Sequence, residues 1–204
     1  MGRNKSFDET EVIDKAVHLF WTNGYSATSV RDLEMAMGLT TASLYNAFGS
    51  KKSLFRRSLQ RYLDLSSRRR IALLDASDEP AVAIEAFLRA VVASSSAGRD
   101  GCLLVNSAAE VAAHDDDIAE DVAAGLGEVE AALARALRRG RADGSIPCDI
   151  EVEPFAKALL GTVVAIRVMS RTSVGPQYLE ALAESQIALL RRDDRDASGA
   201  EASA

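Results

Sequence analysis

Nine positions between Thr28 and Lys51 carry side chains suited to recognition: Thr28, Ser29, Arg31, Thr40, Thr41, Ala42, Tyr45, Asn46 and Lys51. The hydroxyls of Thr28, Ser29, Thr40 and Tyr45, the Arg31 guanidinium and the Lys51 ammonium suit phosphate oxygens. Such contacts hold a nucleic acid without reading its sequence. Asn46 can pair with an adenine edge, and the small Thr41 and Ala42 let a helix approach a groove closely. The chemistry implied is hydrogen bonding to a polyanion. It is not bond breaking.

These side chains need short helices to present them. Asp8, with Glu11 three residues on, resembles a capping arrangement that opens a first helix. Val12, Ile13, Ala16, Val17 and Phe20 give it one apolar face, and Asn23-Gly24 ends it. Ser29 with Asp32 forms a capping box for a second helix, which turns Val30, Leu33 and Met37 inward and stops at Gly38. Thr40 is the natural N-cap of a third helix, Thr41 to about Ala47, with Leu44 and Phe48 facing the core. Ser50 caps a fourth helix that carries Leu54, Phe55, Leu59, Tyr62 and Leu63 on one stripe and is expected to run to about Leu74. Two helices joined at a glycine turn, the second offered outward, form the helix-turn-helix layout.

The rest of the chain reads as helix too. Starts are expected at Ser77–Pro80, Cys102, His114–Asp117 and Pro154, and after Gly175-Pro176. Gly125 and Gly127 weaken the helix that runs to about Arg139. Few prolines and abundant Ala, Leu, Arg and Glu favour helix throughout. The fold class is therefore all-α: an N-terminal three-helix helix-turn-helix head and a larger helical body, about nine helices in all. The head spans 1–50, continued by a linking helix over 51–74. The body spans 51–193, and the polar tail at 194–204 is expected to be disordered.

A net charge of −6 over 204 residues at first disagrees with a nucleic-acid head. The charge is segregated. Residues 1–70 hold 12 Lys and Arg against 7 Asp and Glu, and the remainder holds 12 against 23. A basic front on an acidic rear fits a nucleic-acid-binding head on a body with another task. The charged N-terminus has no apolar signal region, and no window reaches about 18 consecutive apolar residues. A cytoplasmic protein with no membrane partner is expected.

No GxSxG, HExxH, phosphate loop or paired-carboxylate arrangement is present, so no catalytic residue and no enzyme are expected. His114 beside Asp115, Asp116 and Asp117 reads as a helix cap, since adjacent residues cannot all face one ion; no metal or cofactor is implied. His18 reads as a packing residue and Arg68–Arg70 as a solvated helix face. Cys102, among Leu103, Leu104 and Val105, reads as a packing thiol. Cys148 sits in a loop with no basic neighbour. Neither suggests a disulfide framework.

The stretch from Gly24 to Phe55 resembles the DNA-binding signature of the tetracycline-repressor (TetR) family of bacterial transcription regulators. The matching marks are Gly24-Tyr25, Thr28-Ser29-Val30, Asp32-Leu33, Gly38, Ser43-Leu44-Tyr45, Phe48, Ser50-Lys51 and Leu54. Two departures alter the reading surface: Asn46-Ala47 stands where many relatives carry a His-Tyr pair, and Thr41 where many carry lysine. "GCLLVNSAAE" at 101–110 looks like a subgroup trait.

The resemblance implies a homodimer on a palindromic double-stranded operator, most often a repressor, answering a small-molecule effector. Family architecture and periodicity together select Leu63, Phe87, Val91, Leu104, Asn106 and Ile166 for the effector pocket. The helix from Pro154 is apolar nearly all round and needs partners on both sides. Its small residues Ala158, Gly161 and Ala165, with Leu179, Leu182, Gln186 and Leu189 of the last helix, form the expected dimer face. The alternative function is a small-molecule-binding or enzymatic helical body that retains a helix-turn-helix head, with only weak, sequence-independent DNA binding.

Overall fold

A computed structural model describes residues 7–191, and the tail expected at 194–204 lies outside them. Among the described residues the chain is all-α, with helices α1 (Glu9–Asn23), α2 (Val30–Met37), α3 (Thr41–Phe48), α4 (Lys51–Leu65) and α5 (Ser67–Ala76). Then follow α6 (Pro80–Ser96), α7 (Leu103–Glu110), a 3-10 turn (Ala112–His114), α8 (Asp116–Asp143), α9 (Val152–Met169) and α10 (Pro176–Leu190). The head-and-body architecture agrees with the expectation.

Two local differences have physical causes. The helix expected over 51–74 is divided at Ser66, whose Oγ donates to the Tyr62 carbonyl at 2.7 Å. A serine that bonds back onto the preceding turn competes with the helical ladder, and Ser67 follows it. Conversely, α8 runs 28 residues without interruption through Gly125 and Gly127. A Cβ on Gly125 would sit 2.9 Å from Leu104 Cδ2 and 3.0 Å from Leu63 Cδ1. The glycine is there for close approach, not to end the helix.

The chain forms two compact units. The first takes in the chain to Ser67 together with Cys102–Gly125, and the second takes Arg68–Gly101 and the chain from Leu126 onward. The first unit therefore includes a segment, 102–125, that the sequence assigned to the body. Its core stacks α1 on α4, with Phe20 and Phe55 edge to face at 4.9 Å and Tyr25 against Phe55 at 4.7 Å. Leu33, Leu44, Leu54, Leu59 and Leu63 fill it without exposure.

In the second unit α6, α9 and α10 pack on one another around an apolar core that includes Leu88, Leu133, Leu159, Ile166 and Ile187. Arg139 closes the end of α5, donating to the Leu74 and Asp75 carbonyls at 2.7 Å each. Arg68 of the basic run is held by Glu128 at 2.6 and 2.8 Å. Leu179, expected at the dimer face, is 2% exposed and belongs to this core. Among the described residues no helix is long and apolar enough to cross a membrane.

Candidate nucleic-acid interface

The reading helix is fixed by its ends. Ser29 accepts from the Asp32 backbone N–H at 3.2 Å while the Asp32 carboxylate accepts from the Ser29 N–H at 2.8 Å, a complete capping box. The Ser29 hydroxyl hydrogen bond and then its backbone N–H hold the Asp32 carboxyl below its usual value. Gly38 ends α2 in the left-handed region at φ 68°. Thr40 caps α3 through the Ser43 N–H at 3.2 Å, and Ser50 caps α4 through the Ser53 N–H at 3.0 Å. Leu44 at 0% and Phe48 at 4% exposure anchor α3 from below.

On the opposite side of α3, Thr41, Ala42, Tyr45 and Asn46 are exposed, as the spacing predicts. Arg31 is exposed on α2. Thr40 is exposed, though its hydroxyl also donates to Ser43 Oγ at 3.0 Å. The Thr41 hydroxyl donates to Glu34 of α2. Lys51 is half-buried, its Nζ 4.3 Å from the centre of the Tyr25 ring, and burial pushes its ammonium below the ordinary lysine value, partly opposed by Glu110 and Asp32. Burial likewise raises the Tyr25 phenol, with Asp115 adding to the effect.

Thr28 is a correction. Its side chain is fully buried and its Oγ1 donates to the Gly24 carbonyl at 2.6 Å, so that hydroxyl closes the α1–α2 connection and does not face a phosphate. His18 also differs from expectation: it is exposed on α1.

The residue that sequence reasoning missed is Glu110, at the end of α7. Its carboxylate accepts from the Tyr25 N–H at 3.1 Å and from the Ser26 N–H at 2.7 Å. It reaches them because Gly24, at φ 85°, has no Cβ; one built there would lie 2.7 Å from Glu110 Oε2. The connection leading into the reader is thus held by a carboxylate distant in sequence. The subgroup-like stretch ending at Glu110 was the available signal, and nothing in it names Tyr25 as the partner.

The beginning of α8 is tied to α4 in the same unit. Lys52 Nζ lies 2.8 Å from Asp115 and 2.5 Å from Asp117, and Arg56 forks onto Asp121. Asp115 Oδ1 also accepts from the Ile118 N–H at 3.2 Å, so it does cap α8. The Lys52 hydrogen bond holds the Asp115 and Asp117 carboxyls below their usual range. An open crevice of about 740 Å³ runs beside these groups, lined by Lys52, Arg56, Arg57 and Arg61 among others. Each of those cations already meets a carboxylate: Asp115 and Asp117, Asp121, Glu9 and Asp14 respectively. The cations of that crevice are thus already engaged within the chain.

The six positions selected for the effector fall into two groups. In the first unit Leu63 and Leu104 are buried and meet at Gly125, while Asn106 is half-buried. In the second unit Phe87, Val91 and Ile166 belong to the apolar core. Of the expected dimer positions, Ala158 and Gly161 are exposed on α9, Leu189 is 40% exposed on α10, and Ala165, Leu182 and Gln186 are half-buried. Cys102 is half-buried at the start of α7, and Cys148 is exposed.

Comparison with known proteins agrees with this geometry. The family model for bacterial regulatory proteins of the tetR family matches residues 12–57, and that for the tetracyclin repressor-like C-terminal domain matches 81–185. The chain is 30% identical over 191 residues to the HTH-type transcriptional repressor ComR of Escherichia coli (strain K12), covering 92% of this chain and 91% of that one. It is 33% identical over 173 residues to the HTH-type transcriptional repressor KstR2 of Rhodococcus jostii (strain RHA1), covering 80% of each. Among solved structures it is similar to the TetR family transcriptional regulator CifR in complex with 26-base-pair double-strand operator DNA. That likeness has a TM-score of 0.82 at 30% identity and covers 91% of this chain and 98% of that one. A capped, outward-facing α3, two family models and relatives matched over 80% or more of their length agree: the chain belongs to the TetR family of bacterial transcriptional regulators.

Proposed function

We propose that this protein is a cytoplasmic repressor that binds a palindromic operator in double-stranded DNA as a homodimer and is released by a small-molecule effector. The carrying observation is α3: its inner face is locked by Leu44 and Phe48, while Thr41, Ala42, Tyr45 and Asn46 stand exposed in a row. In this reading α3 enters the major groove, Asn46 reads a base edge, and Arg31, Tyr45 and Lys51 hold phosphates. Ser29 and Thr40 contribute mainly by capping the helices that carry these groups. The neutral-to-basic surface of α3 and the start of α4, set in an acidic chain, supports DNA, a polyanion, as the partner.

Self-association is supported by α9. Ala158 and Gly161 are exposed, nothing lies within 4 Å of a Cβ built on Gly161, and Val168 is 46% exposed on the same helix. An apolar face of this kind is covered when two copies pair. The partner set is therefore operator DNA, a second copy of the chain and an effector, with no cofactor or metal assigned a role.

The test begins with selection of bound sequences from random duplex DNA. Asn46→Ala should alter the preferred base at one position per half-site, at a cost of about 1–3 kcal/mol for a bidentate contact. Tyr45→Ala and Lys51→Ala should weaken all sequences alike. An unchanged ranking with Asn46→Ala, together with a reordered one for Tyr45→Ala, refutes the assignment. Gly161→Leu, whose Cβ would point into open space, should convert dimer to monomer in sedimentation.

A further inference from the structure

The second unit's core is apolar, and its exceptions are concentrated in one place. Its buried polar or charged side chains among the described residues are Ser95, Arg167 and Ser170, at 3%, 6% and 7% exposure. Ser95 lies in the last turn of α6, Arg167 in the last turn of α9, and Ser170 caps α9. Arg167 Nη1 donates to Ser95 Oγ at 2.9 Å, and Ser170 Oγ donates to the Arg167 carbonyl at 2.9 Å. No carboxylate among the described residues pairs with this guanidinium, in contrast to the Asp and Glu partners found for Arg56, Arg61 and Arg135.

The Arg167 side chain is 6% exposed and the partner of its guanidinium is a neutral hydroxyl, so the rest of its fork has no carboxylate to meet among the described residues. An anion supplies that partner, and the planar fork of arginine matches a carboxylate in two parallel hydrogen bonds. What adjoins the charge is apolar. Phe87, Val91 and Ser95 follow one another at four-residue intervals on the buried face of α6, and Ile166, fully buried, precedes Arg167.

We propose that the effector is an amphiphilic carboxylate whose anionic end is taken by Arg167 and Ser95 and whose apolar part lies along Val91, Phe87 and Ile166. This rests on the effector-controlled function proposed above and assigns that effector its chemical class. In the conformation described, these side chains are packed closed, so the acid enters only as α6 and α9 part. A ligand that binds one conformation better than another is what shifts a regulator between states.

The probes are sodium octanoate and its neutral counterpart octanamide, titrated into the full-length protein by calorimetry and thermal unfolding. Octanoate should bind saturably and raise the unfolding temperature, with octanamide at least about tenfold weaker because it offers no charge to the guanidinium. Arg167→Met should abolish the preference for acid over amide, and Arg167→Lys should retain part of it. Should Arg167→Met fail to fold, Ser95→Ala, which removes one hydroxyl, should still weaken octanoate more than octanamide. The proposal is overturned if acid and amide bind alike, if neither saturates at millimolar concentration, or if the preference survives in Arg167→Met. It is also overturned if octanoate has no effect and Arg167→Met is monomeric, since a second copy would then supply the missing carboxylate. Operator binding by the wild type without acid, measured separately, reports on the regulatory function: its loss defeats that reading, and its presence with a null octanoate result defeats only this one.

Discussion

The two units join distant stretches of sequence by different chemistry. In the first, segment 102–125 buries Leu103, Leu104 and Ile118 and adds a layer of charge: Glu110 on the Tyr25 and Ser26 amides, Lys52 on Asp115 and Asp117, Arg56 on Asp121. In the second, α6, α9 and α10 meet through Leu88, Leu159, Ile166 and Ile187, all at 0–1% exposure. Partly exposed ion pairs each contribute only about 0–1 kcal/mol and are screened by salt, whereas a buried leucine contributes several times that. The first unit therefore adds to its apolar core a set of contacts that pH and salt can weaken. The second rests on its apolar core, which Arg167 interrupts.

The contrast is sharpest in a core truncation. Leu159→Ala, from a fully buried position, should lower unfolding stability by about 2–5 kcal/mol, measured in urea. A loss below that scale would mean the second unit is looser than its packing indicates. Next comes Glu110→Ala, which leaves the Tyr25 and Ser26 amides without their charged acceptor and should cost about 1–3 kcal/mol. Hydrogen exchange at those two amides should accelerate while amides of α9 and α10 keep their protection. Uniform acceleration across both units would erase the distinction drawn here.

The smallest effect is electrostatic. Asp115 and Asp117 are held below the ordinary carboxylate value by Lys52, so their contribution is present above that value and is lost as the pH falls through and below it. Asp115→Asn with Asp117→Asn should therefore flatten the acid limb of the stability curve and leave a small deficit at neutral pH. High salt should reduce that deficit. A pH profile identical to wild type would show that these pairs carry nothing.

What could be read in the sequence was what is local. Ser29, Thr40 and Ser50 announce helix starts within four residues of the N–H groups they cap, and Gly24, Gly38 and Gly49 mark the stops. Period and caps together placed Thr41, Tyr45 and Asn46 outward. Thr28 misled because a hydroxyl near a helix start looks the same whether it faces solvent or bonds back to Gly24, and only packing decides. Glu110 and Arg167 were invisible for a related reason. Each acts on a group 72 or more residues away, and neither residue type nor periodicity encodes that distance. Leu179 had the spacing of an interface residue, but it is the neighbouring helices of its own unit that cover it.

The contact between Gly24 and Glu110 also limits how this chain can vary. Any side chain at 24 would push the Glu110 carboxylate off its amides and would have to adopt a positive φ besides. Aspartate at 110 would make room, but its carboxylate, one methylene shorter, would fall short of the two amides that the present oxygens reach at 2.7 and 3.1 Å. Glycine at 24 is thus held by its own positive φ as well as by the carboxylate beside it, whereas position 110 is held by the two amides and needs an acceptor oxygen at glutamate's reach. In a set of descendants of this sequence, glycine should therefore persist at 24 even where 110 varies, and glutamate or glutamine should be favoured at 110 wherever the two amides keep their acceptor.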